Sequence, residues 1–181
     1  MASEMLRIGD EVPEFWELPG TDGKRYSLET FQGAKVLIVV FSCNHCPYVQ
    51  AYEDRMIAFQ REFGEKGVAF VAINSNETEH YPEDNYNEMV KRAKAKGFAF
   101  PYLRDEDQSI ATAYGATHTP EFFVFDEQRK LRYHGKFDDN WKEPSQVKER
   151  YVQNAVEALL AGKAVSVPET YSIGCTIKWK I

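Results

Sequence analysis

Apolar positions along this 181-residue chain alternate between short unbroken runs and helical stripes. Val36-Leu37-Ile38-Val39-Val40-Phe41 is continuous in apolar and β-branched residues, as strands buried on both faces tend to be. Val49, Tyr52, Met56, Phe59 and Phe63 then recur at three and four residues. That spacing predicts a helix over residues 46–63, closed by Gly64 and Gly67. Val68-Ala69-Phe70-Val71-Ala72-Ile73 is a second buried run. Strand, helix, strand over this length predicts two parallel strands joined by a right-handed crossover.

Farther along, Tyr86, Met89, Val90 and Ala93 predict a helix over 85–96, entered through a loop and cap at 80–85. Residues 98–103 read as extended with an interruption at Pro101, and 108–114 as a short helix stopped by Gly115. The runs 122–125 and 130–135 flank Asp126-Glu127-Gln128-Arg129 as a hairpin. Val147, Tyr151, Val152, Val156 and Leu159 predict a final helix over 144–160, followed by a tail over 161–181. Near the start, Val12, Phe15 and Leu18 of segment 1–20 are expected on the core, with a short strand or turn at 26–28. Trp16, Trp141 and Trp179 read as core and packing residues, and Tyr133 and His134 as surface or core fillers. With no internal repeat and no low-complexity linker, the expectation is a single α/β domain over 1–181.

Composition narrows the function. A formal charge of −6 and no basic run argue against nucleic acid. The first residues, Met1-Ala2-Ser3-Glu4-Met5-Leu6-Arg7, carry no apolar signal core, and Val36–Phe41 is far too short to cross a bilayer. A cytoplasmic location and no membrane partner are expected. Three cysteines cannot complete a disulfide framework, which leaves catalysis or metal binding for the C-x-x-C at Cys43 and Cys46.

Those two cysteines stand where the first strand passes into the helix. Free N–H groups and the helix dipole favour negative charge at a helix start, so a thiolate is stabilised there. Pro47 fits just inside the helix, where its missing N–H costs nothing. Cys43 is the candidate nucleophile, expected at the exposed end of the motif, with Cys46 covered by the first turn and acting as the resolving thiol. His45, between them, is placed to stabilise the Cys43 thiolate. Asn74, Asn76, His80, Asp138, Asp139 and Asn140 read as turn and cap residues.

Strand, C-x-x-C and helix, followed by Thr119-Pro120-Glu121-Phe122-Phe123-Val124-Phe125, resemble the thioredoxin superfamily. Gly9-Asp10-Glu11-Val12-Pro13-Glu14-Phe15 and Asp22-Gly23-Lys24 resemble the leader of its peroxiredoxin-like and TlpA-like branch. The Cys-Asn-His-Cys-Pro-Tyr run and Gly174-Cys175-Thr176-Ile177-Lys178-Trp179 resemble a peroxiredoxin-like subgroup of it. The resemblance implies an α/β thioredoxin-like fold, a central mixed β-sheet flanked by helices. It also implies a cis peptide before Pro120, and a Thr119 backbone that pairs with an extended substrate. The implied activity is thiol–disulfide exchange through Cys43 and Cys46 with a protein disulfide or a thioredoxin-type reductant, needing no cofactor. One departure is that the buried strand acid of thioredoxin falls on Leu37.

Two alternatives stand beside exchange. A thiol peroxidase would place its peroxidatic cysteine at Cys46 or Cys43, although Pro-x-x-x-Thr-x-x-Cys is absent and Arg55 is the only arginine following closely in the helix. A non-catalytic protein would hold Cu(I) or zinc through Cys43, His45, Cys46 and Cys175. Cys175 reads equally as a redox partner of the pair and as a small residue packed under the tail.

Overall fold

The computed structural model describes residues 5–181, so the first four residues of the expected N-terminal segment lie outside the described residues. Leu18–Pro19 (β1) and Arg25–Tyr26 (β2) form a small antiparallel ladder. Val36–Phe41 (β3) leads through the cysteine turn into Pro47–Phe63 (α1), and Val68–Asn74 (β4) returns parallel to β3. Tyr86–Lys96 (α2), Tyr102–Arg104 (β5) and Ser109–Tyr114 (α3) follow. His118–Thr119 (β6), Glu121–Phe125 (β7), Leu131–Gly135 (β8), Tyr151–Leu160 (α4) and Cys175–Thr176 (β9) complete the order.

The main sheet runs β5-β4-β3-β7-β8. Its β5–β4–β3 side is parallel and its β3–β7–β8 side antiparallel, so the sheet is mixed. Alternate residues of β3 feed opposite layers. Val36, Ile38 and Val40 meet Tyr52, Met56 and Phe59 of α1, Met89 of α2, and Val152 and Val156 of α4. Leu37, Val39 and Phe41 meet Ile110 and Tyr114 of α3 together with Val12 and Phe15. No residue of β3 is more than 1% exposed. At roughly 1.5–3 kcal/mol per fully buried aliphatic or phenyl side chain, this strand is the mechanical centre of the fold. Its C-terminal end therefore gives the cysteines a rigid base.

The structure departs from the pattern-based expectations in three places. The last helix begins at Tyr151, because 147–150 is drawn out against the preceding loop: Lys148 N–H meets Asp139 Oδ1 at 2.9 Å and Asp139 N–H meets the Glu149 carbonyl at 3.1 Å. Only 144–146 form a separate helical turn. The extended piece 98–103 becomes strand only from Tyr102: the Pro101 carbonyl accepts from Ala72 N–H at 3.0 Å, but proline has no N–H to give the ladder. Trp16 and Trp179 are 71% and 42% exposed and are not core residues, whereas Trp141 rests against Tyr48 with ring centroids 4.3 Å apart.

Candidate active site

The chain leaves β3 at Ser42, whose N–H still bonds the Ile73 carbonyl at 2.8 Å, and turns through 43–46 into α1. Cys46 caps the helix in extended conformation with Pro47 behind it. Facing the turn is the Thr119–Pro120 peptide, which is cis, as the resemblance implies. Thr119 touches both sulfurs: its hydroxyl oxygen lies 3.4 Å from Cys43 Sγ and its carbonyl oxygen 3.3 Å from Cys46 Sγ. Cys43, Cys46 and Val49 form a small cluster of their own, against which Tyr48 and Cys175 rest.

Cys43 is not the exposed end of the motif. It is 3% exposed and Cys46 1%, because Thr119 and the Cys175 strand both lie over the turn. Nor does the stabilised thiolate sit on Cys43. A hydrogen bond from the Cys43 thiol is the main influence that lowers Cys46, to about 4; burial opposes it, and the Cys175 thiol and the Val49 and Cys175 amides assist. Cys43 is raised by that same shared proton, by burial, and by the Asp84 carboxylate, with the Thr119 hydroxyl opposing. Of the two, Cys46 is thus the thiol that ionises more readily. The Thr119 carbonyl accepts from Cys46 whenever the proton moves back.

His45 is brought to the site but turned toward acids. Its Nδ1 lies 2.9 Å from Asp84 Oδ2 and its Nε2 3.4 Å from Glu83 Oε1, and its ring stacks on Tyr81. Asp84 has no exposed surface, and pattern reading treated it only as part of a loop and cap. Its Oδ1 accepts from the Asn44 amide (2.7 Å) and Asn74 Nδ2 (3.1 Å), and its Oδ2 from Asn76 Nδ2 (3.0 Å). Asn44, inside the C-x-x-C, is further fixed by the Tyr102 hydroxyl at 2.8 Å and the Glu83 carbonyl at 2.8 Å. Asn74 and Asn76 thus do more than form a turn: they hold the carboxylate that sets the charge beside Cys43.

Cys43 Sγ, a His45 nitrogen and an Asp84 oxygen lie within 4.8 Å of one another. This mixed sulfur, nitrogen and oxygen set differs from the Cys43, His45, Cys46 and Cys175 set anticipated for Cu(I) or zinc. A cation there would compete with the three amide donors already on Asp84.

A second missed pair lies next to Pro120. Glu121 and His134 are buried and bonded at 2.6 Å between Oε2 and Nε2. Burial pushes Glu121 up, but His134 and the Thr117 and His118 amides outweigh it and hold the carboxyl below its ordinary value. A glutamate opening the run Glu-Phe-Phe-Val-Phe was the available signal. Leu37 is fully buried in hydrocarbon, so no acid lies at that strand position. Arg55 is spent elsewhere, on Asp138 (2.8 Å) and the Asn140 and Trp141 carbonyls.

A mixed sheet with a C-x-x-C at a helix start and a cis-proline facing it is the arrangement of the thioredoxin superfamily. The redoxin family model matches residues 7–151, and the chain belongs to that family. The thiol-disulfide oxidoreductase ResA of Bacillus thuringiensis (strain Al Hakam) is 26% identical over 130 residues, 71% of this chain and 69% of that protein. An uncharacterized conserved protein from Geobacillus kaustophilus superposes with a TM-score of 0.91 at 40% identity, covering 98% of this chain and 95% of that one. Peroxidoxin BcpB from Mycobacterium tuberculosis shares the fold with a TM-score of 0.60 at 20% identity, covering 87% of this chain and 96% of that one. Among the described residues no helix is long and apolar enough to cross a membrane.

Proposed function

We propose that the chain is a thiol–disulfide oxidoreductase acting on protein thiols and disulfides through Cys43 and Cys46. The observation that carries this reading is the placement of both sulfurs against Thr119, at 3.4 and 3.3 Å, beside cis-Pro120 at the start of α1. As Cys43 attacks a substrate disulfide, its proton passes to the Cys46 thiolate, and a Cys43–substrate disulfide forms while one substrate thiolate leaves. That leaving group takes the proton from Cys46. The restored Cys46 thiolate attacks the Cys43 sulfur, the second substrate thiolate departs, and Cys43–Cys46 is left oxidised. The two sulfurs carry both electrons. The likeness to the thiol-disulfide oxidoreductase ResA of Bacillus thuringiensis supports this class of reaction.

A Cys46→Ser variant tests it. With resolution blocked, Cys43 should accumulate a mixed disulfide with a peptide carrying an accessible disulfide; absence of any such adduct on a folded variant contradicts the reading.

The low thiol of Cys46 favours a second reading, reduction of peroxide at Cys46 with Cys43 condensing on the sulfenic acid. Against it, Arg55 is committed to Asp138 and two carbonyls and offers the sulfurs no cation. Rapid peroxide consumption by Cys43→Ser would favour this alternative.

A further inference from the structure

Thr119 has a backbone partner already. In the β6–β9 ladder Thr119 stands opposite Cys175, and His118 opposite Thr176. A strand edge offers N–H and C=O groups to any extended segment that can pair with them, which is how many domains take up peptides. Here the chain's own tail fills that edge, and it places a cysteine against Cys46.

We propose that residues 174–177 are a built-in substrate strand, which lies on the β6 edge and presents Cys175 as a third redox thiol exchanging with the Cys43–Cys46 disulfide. This rests on the exchange reading above and extends it. Four observations support it. Cys175 packs against the cluster of Cys43, Cys46 and Val49, and its side chain and amide act on Cys46. Gly174 permits the approach, since a Cβ there would lie 2.1 Å from the Thr119 carbonyl oxygen. The strand is held in register beyond the cysteine. Ile177 is buried and its N–H bonds the Thr117 carbonyl at 2.9 Å; Lys178 N–H bonds Asn76 Oδ1 at 2.9 Å; and Gln108 Nε2 bonds the Lys178 carbonyl at 2.9 Å. Finally, this tail lies beyond residues 7–151 matched by the redoxin family model.

The step balances without an outside oxidant. Cys175 attacks the Cys46 sulfur, the Cys43–Cys46 bond breaks as Cys46–Cys175 forms, and Cys43 leaves with the electron pair and receives the proton Cys175 gives up. The result frees Cys43 while the protein stays oxidised by two electrons. In the reduced state Cys175 is raised to about 11, by burial and then by its bond to Cys46 and the charge there, so it serves as a donor to the thiolate. Oxidation of Cys46 removes that charge.

The test is disulfide mapping by mass spectrometry of the full chain after diamide treatment and acid quenching. Wild type should yield both Cys43–Cys46 and Cys46–Cys175, and Cys43→Ser should convert fully to Cys46–Cys175. Gly174→Val, which drives the tail off the edge, should lose Cys46–Cys175 and keep Cys43–Cys46. If wild type forms Cys43–Cys46 while Cys175 stays alkylatable both there and in Cys43→Ser, the third-thiol proposal falls and the exchange reading stands. If wild type forms no Cys43–Cys46 at all, the exchange reading itself fails. Gly174→Val keeps the test decisive even where Cys43→Ser does not fold: Cys46–Cys175 surviving in it overturns the docking geometry.

Discussion

His45 Nδ1 lies 2.9 Å from Asp84 Oδ2, so the histidine of the C-x-x-C loop faces a buried carboxylate rather than a thiolate. That carboxylate is one of the influences that hold the Cys43 thiol up. Asp84→Asn removes the charge at nearly constant shape. It should bring the Cys43 thiol down toward its ordinary value and so raise its thiolate fraction. The check is the rate of iodoacetamide alkylation of Cys43 against pH, with an unchanged profile counting against the electrostatic account. The same variant should unfold about 1–3 kcal/mol more easily, since the amide cannot satisfy every donor the carboxylate held.

Glu121 and His134 make a separate prediction. The Glu121 carboxyl is held below its ordinary value, so its ionised form stabilises the fold above the usual carboxylate range, and the contribution drains away as pH falls through the folded value. Glu121→Gln should cost about 1–3 kcal/mol by urea unfolding near neutral pH. Its stability should then decline less steeply than wild type under acid. Parallel acid profiles would show that the pair contributes no such linkage.

Ile38 tests the strand beneath the site. It is fully buried between α1 and the rest of that core layer. Ile38→Ala should cost about 2–5 kcal/mol in denaturant midpoint measurements. A loss under about 1 kcal/mol would mean the layer collapses into the gap.

Sequence pattern revealed the parts of this fold that are local. An unbroken apolar run and a three-and-four stripe define β3 and α1 because strand and helix periods act over a few residues, and Gly67 and Gly115 stop their helical segments by a left-handed backbone. Pro144 to Val147 misled because the stripe reads smoothly through them, while the loop bonds of Asp139 decide the outcome. The same division holds at the site. Cys43, Cys46 and cis-Pro120 were legible as motifs. Asp84 was not, because its role depends on amides from Asn44, Asn74 and Asn76 that only the fold collects. The burial of Cys43 was equally hidden, since its covers come from Thr119 and the tail, far along the chain.

The measurement that tests the central claim most directly is the reduction potential of the protein, taken by equilibration with glutathione buffers at several pH values and counting free thiols. A single two-electron step should take the three thiols to one. Because Cys46 is lowered to about 4, the reduced pair takes up one proton with its two electrons between about pH 5 and 8. The potential should therefore fall by about 30 mV per pH unit, half the slope of a pair that binds two protons. A slope near 60 mV per unit would contradict the shared-proton account. Absence of any two-electron step would contradict the dithiol mechanism altogether.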